Sequence, residues 1–561
     1  MDSCLTQEIP VALPAWRKYS RAPEIPGYSE VTSITPNLEM FLGETIPCEG
    51  QLNSDNLFGR VHEFEGSGEC IVETVSKKKK CKAYCKVTHL LDPIRTLQNF
   101  YEHPEKGVRR DTAKRMNPMN QAYIDNLANY LLGQLAERKL SPHFCLYYGG
   151  FKAIAEKYRY NITDEFGSYR KYREFWERKR NGKFTLHVER DDDTVSEMSL
   201  FRTPASSMRS SAFSYSTRGS GSTDSESESE SDSDSDSGRS HITLGGDDSQ
   251  INGKLVELES VHSFESGSSK CESDSDSDSD SSENMYSVFS EFKAYPVMLI
   301  FQEKMEGVLD DLLDCDPKEY LQEGTEDKSL WENHWTAWTF QIIAALCAAQ
   351  GVLGFTHNDL HTNNIVWNET DESWIFYKSR DGTVWKVPTY GKIFKIIDFG
   401  RAIFRVGQTW FISDDYESGG DADGQYNFGS TQRPKKRTIY PNPSFDLCRY
   451  AVSVMDALFP EVPAEKLDSP IISQEGKWVI HETESPLWNM LWSWLQDDKG
   501  YNVLREEDGT ERFPDFDLYQ HITDHVKDAK PQQQLHKPIF AGYIVPGNSV
   551  GDWETIYPLY C

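Results

Sequence analysis

The sequence is short of the features that mark secreted, metal-bound, membrane-spanning or nucleic-acid-binding chains. Its 11 cysteines include no pair at CxxC spacing, so Cys81, Cys85 and the others are expected as reduced thiols, not as disulfides or zinc ligands. No stretch reaches the roughly 20 apolar residues needed to cross a bilayer. Met1–Pro10 holds no apolar signal-peptide core, and the expectation is a soluble, intracellular protein with no membrane partner. Basic runs are short and the pI is about 4.9, which argues against nucleic acid as a partner.

Acid is what the chain has in excess. The formal net charge is -30, and two Ser-Asp/Glu tracts, Thr223–Ser237 and Glu272–Glu283, hold seven and six acidic residues with no Lys or Arg. They account for thirteen of the thirty charges. Such repeats bury too little apolar surface to offset chain entropy, so residues 194–284 are expected to be a disordered insert. Serines flanked by carboxylates are also good phosphate acceptors for acidophilic enzymes, although a solubilising linker explains them equally well. Outside the insert, 12% aromatic residues over 561 positions point to a large globular core.

One polar constellation stands out. Thr356-His357-Asn358-Asp359-Leu360-His361-Thr362-Asn363-Asn364 places an Asn five residues after an Asp, and Ile396-Ile397-Asp398-Phe399-Gly400 follows. These groups suit Mg-ATP phosphoryl transfer, whose loose, highly charged transition state needs positioning and neutralisation above all. Asp398 and Asn364 offer hard oxygen ligands for Mg²⁺, and Asp359 offers a proton acceptor for an attacking hydroxyl. His357 is expected to pack and hydrogen-bond beneath the loop.

The flanks agree. Trp331, Trp335, Trp338, Ile342, Ala345 and Ala349 recur at spacings of four, three, four, three and four, a buried helix leading into the loop. Phe394–Ile397 reads as a short strand. Leu447, Ala451, Val454 and Leu458 share one face of a later helix, with Asp446 read as its N-terminal cap.

With these motifs in this order, residues 46–459 resemble the protein-kinase superfamily. The likeness is nearest to the divergent kinases of large DNA viruses, through the catalytic-loop motif, Ser141-Pro142-His143-Phe144, Gly424-Gln425-Tyr426, Pro441–Arg449 and Phe513–Tyr519. The resemblance implies an α+β, two-lobed protein-kinase-like fold with a small β-rich N-lobe and a mostly helical C-lobe. It implies ATP and Mg²⁺ as cofactors, protein substrates, and transfer to Ser or Thr. It also implies that Asp446 supports the catalytic loop from below. The expected organisation is an N-terminal extension (1–40), N-lobe (41–193), insert (194–284), last strand and hinge (285–305), C-lobe (306–531) and tail (532–561), the tail wrapping the surface. The setting would be the cytoplasm of a cell or infected host, or a virion.

The remaining site residues follow from local pattern and this resemblance. Cys81-Lys82-Ala83-Tyr84-Cys85-Lys86-Val87 alternates as a strand, with Lys86 as the phosphate-binding lysine and Lys82 as its competitor. Gly66 and Gly68 are the candidate phosphate loop, equally readable as a hairpin turn. Residues 122–138 form an amphipathic helix in which Asp125 is the best partner for the lysine and Glu137 the second. Backbone groups of Glu303–Met305 would face the adenine.

Several positions depart from the kinase pattern. His361 stands where many Ser/Thr kinases have Lys, a His that also occurs in haspin-type kinases and in aminoglycoside-type small-molecule phosphotransferases, and Asn358 replaces the Arg that reads loop phosphorylation. Asn364 and Asp398 lie 34 residues apart, and Trp374–Tyr377 with Val384–Val387 predict an extra hairpin in the gap. Asp414, Asp415, Glu417, Asp421 and Asp423 make the following segment acidic, either to attract basic acceptors or to keep a loop solvated. A small-molecule kinase and a pseudokinase that binds without turnover are the alternatives.

Overall fold

The computed structural model describes residues 23–560 apart from 34, 38–55, 66–67, 76, 103, 106, 191–285, 315–327, 418, 427–440, 467, 476–477, 507, 515, 547–550 and 552–554. The acidic insert and Gly66 therefore lie outside the described residues. The fold is mixed α+β, with a curled antiparallel sheet followed by helices.

The chain divides into two compact units. In the larger, six strands pair: β1 (Tyr28–Thr32), β2 (Phe58–Phe64), β3 (Glu69–Thr74), β4 (Lys80–His89), β5 (Tyr147–Asn161) and β7 (Tyr286–Glu303), in the order β1-β5-β7-β4-β3-β2. The alternation predicted for β4 is what places it. Ala83 and Cys85 turn into the core while Lys80 and Lys82 face solvent. The β4–β7 register aligns Ala83 with Glu303 and Lys86 with Ile300.

Helix α1 (Gln121–Glu137) has its N-terminus capped by Asn120, whose side chain accepts from the Ala122 amide at 3.1 Å. Ile124, Leu127, Leu131 and Leu135 are buried as their spacing requires. Helix α4 (Lys328–Leu353) carries the aromatic stripe, with Trp335 and Trp338 fully buried. Each such side chain removes enough apolar surface to favour folding by about 2–3 kcal/mol. Against the expectation that no stretch would be, its segment Leu330–Leu353 is long and apolar enough to cross a membrane, and 83% of its most apolar window is buried inside the protein. Helices α5 (Phe445–Leu458), α6 (Pro486–Trp494) and α7 (Asp517–His525) also belong to this part.

The extra hairpin exists, pairing Trp374–Lys378 with Val384–Pro388. The tail does more than wrap the surface, because its strands Ile544–Val545 and Ile556–Pro558 flank that hairpin to make a four-stranded sheet. Phe540 and Leu559 are buried with it. A Pro-rich composition had concealed these short pairing segments.

The smaller unit, within residues 161–190 and 286–290 of the described chain, was not foreseen as separate from the N-lobe. Helices α2 (Thr163–Tyr169) and α3 (Arg173–Arg180) and strand β6 (Thr185–Arg190) belong to it. Phe166, Tyr169 and Phe184 gather around Phe175. Ile162 donates its amide to the Val288 carbonyl at 2.8 Å, tying the two chain segments together.

Candidate active site

Helix α4 delivers the chain to the 356–364 loop, where Thr356 pairs with Ile403. The loop is held from below by Asp446 of α5. Its carboxylate accepts the amide of His357 at 2.9 and 3.1 Å and that of Asn358 at 2.9 Å. Asp446 is thus not the cap of its own helix, because Ser444 takes the N-cap place and the carboxylate is spent on the loop. Asn358 adopts a left-handed conformation (φ +64°), which an Asn tolerates better than most side chains. Its amide group donates to the Arg401 carbonyl at 3.1 Å, and its oxygen accepts from the Tyr426 hydroxyl.

His357 lies beneath the loop as expected. Its ring bridges the Ile397 carbonyl (2.8 Å, Nε2) and the Asp359 amide (3.3 Å, Nδ1). The first contact needs a protonated Nε2 and the second an unprotonated Nδ1, so the pair defines one neutral tautomer.

Asp359 is buried, and both its oxygens are engaged. Arg401 donates to Oδ2 at 3.2 Å and Tyr519 donates to Oδ1 at 2.9 Å. Burial alone would raise its pKa, but the Arg401 guanidinium, with His361 and Arg449, overrides this and holds the carboxyl at about 2. His361 sits beside it, its proton affinity lowered by burial in spite of the Asp359 charge.

Of the two candidate lysines, Lys86 is the one brought among carboxylates. Its ammonium lies 2.7 Å from Asp125 Oδ2 and 2.7 Å from Asp398 Oδ1, whereas Lys82 is exposed. Asp125 is fixed from two further sides, accepting the Phe399 amide and the Asn129 side-chain amide at 2.9 Å each. Glu137 instead accepts from Gln134 at 2.9 Å at the far end of α1. Burial opposes the charge on Lys86, yet the two carboxylates outweigh it and keep the ammonium strongly protonated. The triad is sealed at Asp125, with 1% of its side chain exposed, and open at Asp398, with 32%. Asp398 stands at φ +63°, a strained backbone that aims its carboxylate at this opening.

Asn364 is brought beside Asp398, because its carbonyl accepts the Ile397 amide at 3.0 Å. Its side-chain nitrogen donates to the Asp359 carbonyl at 2.9 Å and contacts His361 Nε2 at 3.1 Å. The amide oxygen is the atom that remains to face a cation. Among the described residues no group of three or more His, Cys, Asp or Glu side chains forms a metal centre. One carboxylate and one amide oxygen fit Mg²⁺ that arrives on phosphates, not a resident structural ion.

At the segment expected as the hinge, the Glu303 amide donates to the Leu146 carbonyl at 2.9 Å and so is not available to a ligand edge. Its side chain clamps the region, bound by Lys395 at 2.6 Å, Asn368 at 3.2 Å and the Leu146 amide at 3.1 Å. Met305 packs beside Cys145, Val308 and Val366, an apolar wall suited to a flat ring. Gly68 has its own structural reason. It closes a hairpin at φ +87°, and a Cβ there would lie 2.9 Å from the Cys85 carbonyl and 3.1 Å from the Tyr84 ring.

Three participants were invisible in local pattern. Arg401 follows Asp-Phe-Gly and joins Asp359 to Asp415, which it approaches at 3.5 Å. Tyr519 comes from α7. Asp414 accepts from the Gln121 amide at 3.0 Å and pairs with Lys114 at 2.8 Å, so Asp414 and Asp415 are buried, not solvating a loop. No family model matches the chain, and no curated protein matches it.

Proposed function

We propose that this chain is an ATP- and Mg²⁺-dependent protein kinase of two-lobed architecture that phosphorylates Ser or Thr hydroxyls. The observation that carries this reading is the Lys86–Asp125–Asp398 triad, with both contacts at 2.7 Å, adjoining a loop that presents Asp359 and Asn364.

Each residue has a distinct part. Lys86, anchored by Asp125, offers a fixed cation to phosphate oxygens. Asp398 and the Asn364 amide oxygen would hold Mg²⁺, which supplies charge neutralisation to the transferring group. Asp359, held near 2, is ionised at neutral pH and too weak a base to take a proton early. That suits a loose transition state in which it orients the acceptor hydroxyl and receives the proton late. Met305 and its apolar neighbours would bound the adenine site.

A second reading, nucleotide binding without turnover, draws on Gly68, where a Cβ would lie 2.9 Å from the Cys85 carbonyl, so that packing gives this glycine a reason independent of any phosphate. Transfer from γ-labelled ATP with Mg²⁺ to mixed basic and acidic proteins separates the two. The kinase reading expects transfer that Asp359→Asn lowers by about 10²-fold or more. Nucleotide binding with no transfer above that variant would establish the second reading.

A further inference from the structure

The base of a phosphoryl-transfer site must offer an oxygen to the acceptor hydroxyl, and here each oxygen of Asp359 already accepts a hydrogen bond. Oδ2 is taken by Arg401 at 3.2 Å, a group that carries no transferable hydroxyl. Oδ1 is taken by the Tyr519 hydroxyl at 2.9 Å. A phenol O–H presents to the carboxylate the same donor that a protein acceptor would present.

The place that Tyr519 fills is a built one. Arg449 Nε donates to the Tyr519 oxygen at 2.9 Å, and the Arg449 guanidinium also lies 5.4 Å from the ring centroid. The ring packs against Phe445, 5.9 Å away, and stacks on Phe516 at 5.2 Å. Helix α7 is itself pinned by Asn442, whose side-chain amide donates to the carbonyls of Ile522, Thr523 and Val526 at 3.1, 3.0 and 2.9 Å. Tyr519 is thereby held at Asp359 from a helix 160 residues downstream.

Resting on the kinase reading, we propose that the position between Asp359 Oδ1 and Arg449 Nε is the acceptor-hydroxyl subsite, and that Tyr519 is its internal competitor. A protein Ser or Thr hydroxyl enters by displacing the phenol, donating to Asp359 and accepting from Arg449 in its stead. The affinity for the acceptor is then reduced by the fraction of molecules in which Tyr519 is in place. The nucleotide side, built on Lys86, Asp125 and Asp398, does not touch Tyr519 and is not taxed.

The test is steady-state transfer from Mg-ATP to a mixed protein acceptor by the wild type, Tyr519→Phe and Asp359→Asn, with melting curves for all three. Tyr519→Phe keeps the ring and removes both hydrogen bonds. The expected result is an acceptor KM lowered about tenfold with the ATP KM unchanged, a split that a purely structural role would not produce. A silent wild type with an active Tyr519→Phe supports the proposal equally. An active wild type with an unchanged or higher acceptor KM in Tyr519→Phe overturns the subsite and leaves the kinase reading standing. No transfer by either the wild type or Tyr519→Phe overturns both.

Discussion

The carboxylate of Asp414 accepts the amide hydrogen of Gln121 at 3.0 Å, so the segment after Asp-Phe-Gly caps the helix that carries Asp125. The same carboxylate takes Lys114 at 2.8 Å and Asn117 at 2.9 Å. Removing it leaves a helix-end donor and a cation without their partner. Asp414→Ala is expected to cost about 2–3 kcal/mol of stability, measured by urea unfolding. It should also weaken the Lys86–Asp125 alignment, because that pair depends on where α1 begins.

Asp415 gives a pH signature of opposite sign to an ordinary ion-paired acid. Burial and then Asp421 push its carboxyl up to about 7. Between an unfolded value near 4 and that folded value, the native state holds a proton that the unfolded chain has released. Its contribution therefore falls as pH rises from about 4 to 7. Asp415→Asn mimics the protonated form, so its stability relative to the wild type should grow across this window, by up to roughly 4 kcal/mol. Thermal melts of both proteins at pH 5 and pH 7.5 read the difference, and a constant gap would refute it.

Lys86 and Lys82 lie four residues apart on the same face of one strand, Lys86 between Asp125 and Asp398 and Lys82 exposed, which makes them a matched pair of variants. Lys86→Met strips the cation from Asp125 and Asp398 and is expected to lower the transfer rate by about 10²–10³-fold. Lys82→Met removes an exposed charge and should leave the rate within about twofold. Comparable losses in both would remove the triad from the mechanism.

The tail strands should matter to stability out of proportion to their length. Leu559 is buried beside the sheet formed by the hairpin and the tail, and its amide donates to the Lys378 carbonyl at 3.0 Å. Leu559→Ala is expected to cost about 2–4 kcal/mol in denaturant unfolding while leaving any transfer chemistry intact. A loss below about 0.5 kcal/mol would mean the tail is dispensable.

Much of the site was legible where chemistry and periodicity are local. Trp335 and Trp338 lie in the core because a helical stripe has only one way to hide, and Ala83 and Cys85 follow from the two-residue period of β4, which sets Lys82 and Lys86 together on the other face without choosing between them. Asp446 was legible only in part. Its position at a helix start suggested a cap, but a carboxylate has two oxygens and the loop above supplies two amides that satisfy them better.

Sequence alone determined the strongly periodic elements and the order of Asp359, Asn364 and Asp398 along the chain, since apolar spacing and short-range geometry govern a helix, a strand or a turn. Only the tertiary structure decided which charges meet. Asp414 reaches back 293 residues to Gln121, and Tyr519 closes on Asp359 from 160 residues downstream. A buried charge is stable only beside its partner, and that partner is chosen by how packed elements converge in space, which no local pattern records.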